Sequence, residues 1–290
     1  YFDLMAGGSL FEWDWRARRF NLLNNLSRRR EGYHRELLRL AERVHENPGG
    51  DGTTPGSEAG LPWTKEEGLE QHLFYDWYRR TALLDHFLHP DVTLAAFRTA
   101  EYGEAGDFVN QPYVSEVQRS ADRATVTLSR DGHVWVGDIF TPVRVRKQLH
   151  IEATRASLPV RYTVTNTGAA HIALRFGVEF NFGLLSGHAG DAYYAIPGLV
   201  LDDAHLDSMG ELEGLREVHL VHEWFGLHIG LSFDRPATLW RFPIETISNS
   251  EGGFERIYQC SCLLPHWQVD LAPGEEWRVG IRIDLKEPDA

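Results

Sequence analysis

Apolar and polar positions alternate along most of this chain, which is the signature of strands with one buried face. Residues 172–184 show it best. Phe176, Val178, Phe180 and Phe182 fall on one face, and Gly177, Glu179, Asn181 and Gly183 on the other. The same pattern predicts strands at 113–119, 124–130, 133–137, 143–154, 158–167, 193–201, 217–223, 226–234, 237–242, 256–263, 266–271 and 276–285, with another from about 81 to 88. Turn formers separate many of them: Arg130-Asp131-Gly132, Asn166-Thr167-Gly168 and Ala272-Pro273-Gly274-Glu275. At the start, Phe2, Leu4 and Leu10 interleave with Asp3, Ser9 and Glu12 around Gly7-Gly8, which predicts a hairpin. Only residues 31–46 carry helical spacing, through Tyr33, Leu37, Leu40, Ala41 and Val44, and Asn47-Pro48-Gly49-Gly50 stops the run. Residues 47–62 are rich in Gly, Pro, Ser and Thr and predict a mobile loop. About a dozen strands at regular spacing predict an all-β fold: a large twisted antiparallel β-sandwich, with one helix near the N-terminus, as one domain over residues 1–290.

Composition supports a packed core. The chain has 290 residues, 42% of them hydrophobic, and all-β domains of this length commonly form one unit. A net charge of −13 repels phosphate and argues against nucleic acid or an anionic membrane as partner. Arg28-Arg29-Arg30 and Arg79-Arg80 are too short to reverse that, and read as solvated or ion-paired faces. No apolar run approaches the ~18 residues of a membrane span. Cys260 and Cys262 share a strand face, too close in sequence for an unstrained disulfide, and read as reduced thiols in a cytoplasmic core. No HExxH, EF-hand spacing or second Cys pair is present, so neither metal nor other cofactor is expected. GxGxxG, GxxxxGK[ST] and GxSxG are absent too, which leaves nucleotide binding and serine hydrolysis no foothold.

The candidate chemistry is carbohydrate chemistry. Glu179 and Asn181 share a strand face, and His188 and Asp191 lie in the loop that follows. A carboxylate, an amide and an imidazole suit sugar hydroxyls; the competing reading for Glu179 is a solvated or salt-bridged outer face. His150 and Glu152 also share a face and could act as acid and base on a hydroxyl, or pair with each other at the surface. His222-Glu223 falls on opposite faces, and Asp202, Asp203 and Asp207 read as an acidic surface loop before a calcium site. Trp13, Trp15, Trp63, Trp77, Trp224 and Trp267 could include a sugar-stacking platform, although aromatic residues in a sandwich are more often core.

Several stretches taken together identify a resemblance. GGSLFEWDW with FNLLNNLSRRREGYHREL, then FYDWYRRTALLDHFL, LPVRYTVTN, FGVEFNFGLLSG, FPIETISNSEGGFERIYQ and LLPHWQVDLAPGE, in this order, resemble the C-terminal domain of glycoside hydrolase family 57 enzymes of the α-amylase and 4-α-glucanotransferase type. Cys260 departs from it, standing where a small residue such as Gly is expected. The resemblance implies a galactose-mutarotase-like supersandwich. It implies that the catalytic carboxylates sit on an N-terminal (β/α)7 barrel, so no catalytic residue is expected in these residues. The expected partners are that barrel and an α-1,4-glucan or maltooligosaccharide. The chain then reads as the C-terminal part of a longer enzyme, with an accessory role. Two other readings stand beside it: a mutarotase- or epimerase-like enzyme using His150, Glu152 and Glu179, and a glucan-binding module using Trp and Tyr.

Overall fold

A computed structural model describes residues 1–16, 18–46 and 64–287. The expected loop at 47–62 and Trp63 lie outside the described residues. The chain begins with β1 (Phe2–Asp3) paired to β2 (Ser9–Leu10), then β3 (Asp14–Trp15) paired to β4 (Phe20–Asn21). The turn between β1 and β2 needs glycine: Gly7 and Gly8 sit at φ of 73° and 52°, where a side chain is strained. Helix α1 (His34–Glu46) follows, then a 3-10 turn (Leu69–His72), β5 (Leu84–Leu88) and a short α2 (Leu94–Thr99). Leu37 of α1 and Leu69 pack on Ile247 and Phe254. Thr93 caps α2, its hydroxyl accepting from the Ala96 N–H.

The rest is strand: β6 (Val114–Arg119), β7 (Arg123–Val136), β8 (Ile139–Glu152), β9 (Ser157–Asn166), β10 (Ile172–Phe182), β11 (Ala192–Ala195), β12 (Gly210–His222), β13 (Leu227–Ser250), β14 (Gly253–Leu271) and β15 (Glu276–Lys286). These ten strands and β5 form one antiparallel sheet, ordered β5-β10-β14-β13-β15-β9-β8-β7-β6, with β12 on β13 and β11 on β12. β13 belongs to both halves. Residues 228–233 pair with β15 and residues 238–250 with β14. The apolar inner faces meet in one core that holds Tyr162, Phe176, Phe180, Phe182, Ile229 and Ile283. The predicted all-β antiparallel sandwich is therefore the observed one.

Three local expectations are corrected. Arg130-Asp131-Gly132 is not a turn, because β7 runs straight through it and reverses after Val136, at Gly137 (φ 59°). Gly132 is there for close approach, since a Cβ would collide with Asp107 and Phe108. The strands predicted at 226–234 and 237–242 are one, as are those at 256–263 and 266–271; the continuous strands run through Pro236 and Pro265. A second helix, α2, was not expected, since its six residues are too few for a periodic signal. Among the described residues no helix is long and apolar enough to cross a membrane.

Candidate functional site

The alternation in β10 places Glu179 and Asn181 on the face away from the main core, as the sequence predicts. That face is not open. The segment 76–80 and α2 lie across it, and both side chains are fully buried. Asp76 and Arg80 are also fully buried, as are the ring of Tyr78 and the stem of Arg28.

Glu179 is the centre of this layer. Its Oε1 accepts from Arg80 Nη1 at 3.0 Å and from Asn181 Nδ2 at 2.6 Å. Its Oε2 accepts from Tyr78 Oη at 2.6 Å and from His86 Nε2 at 2.8 Å. His86 uses its other nitrogen, Nδ1, on Glu104 at 3.0 Å. Arg80 Nε donates to Asp76 at 2.9 Å, and Arg28 Nη2 donates to Asp76 at 2.6 Å. Arg28, Asp76, Arg80, Glu179, His86 and Glu104 thus alternate in sign, three cations against three carboxylates. Such a network is tolerable in a dry interior only when each charge is paired and hydrogen-bonded.

The titration behaviour follows. Burial alone would raise the Glu179 carboxyl, but Arg80, His86 and Tyr78 outweigh it and hold the group well below the usual carboxylate range. Burial alone would lower His86, but Glu104 and then Glu179 push it up to about 9. Burial opposes ionisation of Asp76 as well, and Arg80 and Arg28 reverse that, keeping it below its ordinary value. Glu179 is accordingly a permanent anion with every near donor engaged, unsuited to pass a proton.

A second buried ion pair lies inside the sandwich. Lys147 Nζ of β8 is 3.0 Å from Asp85 and donates to the carbonyls of Gly7 and Leu83 at 2.8 and 2.7 Å. Tyr113 Oη donates to the same Asp85 oxygen at 2.6 Å. Leu83 sits at φ 61°, an uncommon conformation that this lysine helps hold. Burial, opposed by Asp85, lowers the Lys147 pKa. Lys147→Met strands Asp85 without its cation, and denaturant unfolding should show a loss of about 3–5 kcal/mol. An unchanged midpoint would mean that Tyr113 alone satisfies Asp85.

The other candidates are scattered. His150 is exposed, 3.3 Å from Thr125 Oγ1, and Glu152 pairs with Arg155 at 3.0 Å. Both lie on β8, four intervening strands from Glu179 on β10. His188 is exposed, its Nδ1 3.1 Å from Asp207 and its ring stacked on His205 at 4.1 Å. Asp203 lies 2.8 Å from His205 Nδ1, so Asp203 and Asp207 of the acidic loop are each in hydrogen-bond contact with a histidine. Asp191 is half-buried in the same region, and its carbonyl accepts from the Glu223 N–H. Among the described residues no group of three His, Cys, Asp or Glu side chains is placed to hold a metal. Trp15 and Trp267 are buried, Trp13 is half-buried, and Trp77 and Trp224 are 45% and 77% exposed. Of the two readings of Glu179, the salt-bridged one is observed, but on a covered face rather than an outer one: Glu179 and Asn181 lie buried beneath segment 76–80 and α2. Cys260 and Cys262 are free and buried under α2, and burial raises both thiols.

What sequence reading missed is the set of partners. Arg80 and Arg28 sat in short Arg runs read as solvated or ion-paired faces; they are ion-paired, but buried. Asp85 and His86 sat inside a predicted strand, with no signal to distinguish them from alternating surface polar residues. A cavity of about 190 Å³ opens beside this layer, lined by Arg28, Tyr33, His34, His72, Glu245 and Gln259 among others. Burial is the main cause holding the Glu245 carboxyl above its ordinary value, against the opposing Arg256.

Comparison with known proteins bears on the whole chain. The family profile described as "Alpha-amylase/4-alpha-glucanotransferase, C-terminal" matches residues 1–281. Alpha-amylase 1 of Dictyoglomus thermophilum is 31% identical over 293 residues, covering 99% of this chain and 38% of that protein. The 4-alpha-glucanotransferase of Thermococcus litoralis is 32% identical over 254 residues, covering 87% of this chain and 33% of that protein. Its crystal structure superposes with a TM-score of 0.70, at 26% identity, over 99% of this chain and 35% of that one. A galactose mutarotase-like protein of Clostridium acetobutylicum has a TM-score of 0.55 at 10% identity, over 99% of this chain and 91% of that one, a likeness of fold alone. The chain spans about a third of the length of the curated relatives it matches.

Proposed function

The chain belongs to the family of C-terminal domains of α-amylases and 4-α-glucanotransferases, and on that premise we propose that it is a non-catalytic accessory β-sandwich of an enzyme acting on α-1,4-glucans. Its partner in this reading is an N-terminal catalytic barrel of the glycoside hydrolase family 57 kind, which it supports and beside which it contacts the glucan. The parent reaction is retaining cleavage, with the glycosyl unit passed from an enzyme carboxylate to a sugar or to water. The two free buried thiols suit a cytoplasmic setting.

One observation carries the reading: the family match fills the chain, while the chain fills only 38% and 33% of two amylolytic relatives. The buried chemistry supports it. A general acid or base must reach a substrate proton, and Glu179 is enclosed with four donors around it. The mutarotase- or epimerase-like reading needs His150 and Glu179 in one pocket, whereas His150 is exposed and Glu179 is sealed on a distant strand. The test is to incubate the purified chain with maltoheptaose and follow the distribution of chain lengths. We expect it to stay unchanged. Hydrolysis or redistribution by this chain alone would overturn the accessory role.

A further inference from the structure

The outer face of the sheet carries a cationic hollow. β9 and β15 pair antiparallel, with Arg161 opposite Gly280, Thr163 opposite Arg278 and Pro159 opposite Arg282. Val160, Tyr162, Val279 and Ile281 are buried in the core. Side chains alternate along a strand, so Arg161, Arg278, Gly280 and Arg282 share the opposite face, and all three arginines are exposed. Gly280 has no side chain, and an open concavity of about 410 Å³ lies there, lined by Arg161, Arg278, Arg235 and Asp234. Asp234 follows the last pair of β13 with β15, Phe233 with Ile281. It lies over the glycine, since a Cβ at position 280 would stand 2.8 Å from Asp234 Oδ2.

The hollow sets three guanidiniums against one carboxylate. The next outer-face charges along β15, Glu276 and Arg282, cancel each other, so a surplus of two positive charges remains. Glu276 is bound to Arg278, and Arg235 lies over the Trp277 ring, 5.6 Å from its centroid. Among the described residues Arg161 and Arg282 have no ion pair or hydrogen bond, and the Asp234 carboxylate has no ion pair. Arg161 is diagonal to both Arg278 and Arg282. Diagonal neighbours stand roughly 7–8 Å apart, within reach of one another for long side chains, and like charges so placed repel. An oxyanion between them relieves that repulsion, and the planar guanidinium fork matches its oxygens.

We propose that this hollow binds a phosphate monoester carried by a glucosyl unit of an α-1,4-glucan, whose identity as glucan rests on the function proposed above. A phosphate monoester carries about −1.5 to −2 charges near pH 7, which matches the surplus. Asp234 then accepts from a sugar hydroxyl. The rest of the molecule selects against a continuous polyanion. Its net charge of −13 repels a nucleic-acid strand laid along the surface. An isolated phosphate on a neutral polymer responds chiefly to charges within a Debye length of ~8 Å, and here those are in positive excess.

Isothermal titration calorimetry of the chain with a starch dextrin bearing phosphate monoesters, before and after phosphatase treatment, tests the site. Dephosphorylation should weaken binding about tenfold or more, and added salt should weaken binding of the phosphorylated form. Arg161→Glu, at an exposed position of β9, should also cost about tenfold or more while far-UV circular dichroism stays unchanged. Arg278→Gln, at a second exposed position, should weaken binding in the same direction and keeps the test sharp if Arg161→Glu does not fold. Arg119→Glu, exposed on β6 three strands from β9, makes the same change of charge and should leave binding unaltered. Absence of binding, equal binding before and after phosphatase, or equal losses in Arg161→Glu and Arg119→Glu overturns the site. Glucose 6-phosphate is the control for the source of the phosphate: binding as tight as that of the dextrin overturns the assignment to glucan. None of these results touches the accessory role, which stands or falls on the cleavage assay.

Discussion

Glu179→Gln should cost the chain about 3–5 kcal/mol of folding stability, the range seen when one partner of a buried ion network is removed. A domain typically holds only ~5–15 kcal/mol in all, so this one-atom exchange should move the denaturation midpoint more than any surface substitution. The glutamine fits the space and still accepts from one side. It cannot offset Arg80 and His86, which remain buried against it at 3.0 and 2.8 Å. Adding Arg80→Met should recover part of the loss, because it removes the stranded cation while Arg28 continues to satisfy Asp76. The two effects should therefore be far from additive. Urea unfolding of the two single variants and the double variant measures this. Additive losses, or a Glu179→Gln midpoint equal to that of the unaltered chain, would show that water reaches the layer and screens it. The same carboxylate also accounts for why residues 76–80 stay on the sheet. Asp76, Tyr78 and Arg80 point inward to the network, and Trp77 and Arg79 point outward.

Strand content was legible because a period of two is strong wherever one face meets a core. Phe176, Val178, Phe180 and Phe182 are all fully buried, as their alternation required. The opposite face misled for a definite reason. Its alternation identifies Glu179 and Asn181 as pointing away from the first core, but says nothing about a second layer laid on by residues one hundred positions earlier. That layer is long-range tertiary structure: Arg80 and Glu179 are 99 residues apart, and Lys147 and Gly7 are 140 apart. No local window contains both partners of either pair. β13 failed in a related way. Pro236 is a strand breaker by local rules, and here it marks the place where one strand passes between two sheet halves.

Stability should fall as pH rises from neutrality, and His86 is the reason. Both of its ring nitrogens donate to carboxylates, to Glu104 and to Glu179, so the folded state holds the imidazolium. Burial opposes this, yet the two carboxylates raise its pKa from 6.5 to about 9. Between these values the folded chain keeps a proton that the unfolded chain releases, and stability then declines with pH. The contribution is fully present below about 6.5 and lost as pH passes through about 9. At ~1.4 kcal/mol per unit, the shift corresponds to about 3 kcal/mol. Glu179 and Asp76 act in the opposite sense, since their carboxyls lie below the ordinary range. Their contribution is present above the usual carboxylate pKa and disappears as acid protonates them. A plateau near pH 5–6.5 with a fall on each side is the expected profile in urea titrations from pH 3 to 10. Subtracting the profile of His86→Gln isolates the group: the alkaline decline should flatten by about 3 kcal/mol while the acid limb persists. An alkaline decline of equal size in both proteins would place the responsible proton elsewhere and remove the imidazolium from the network.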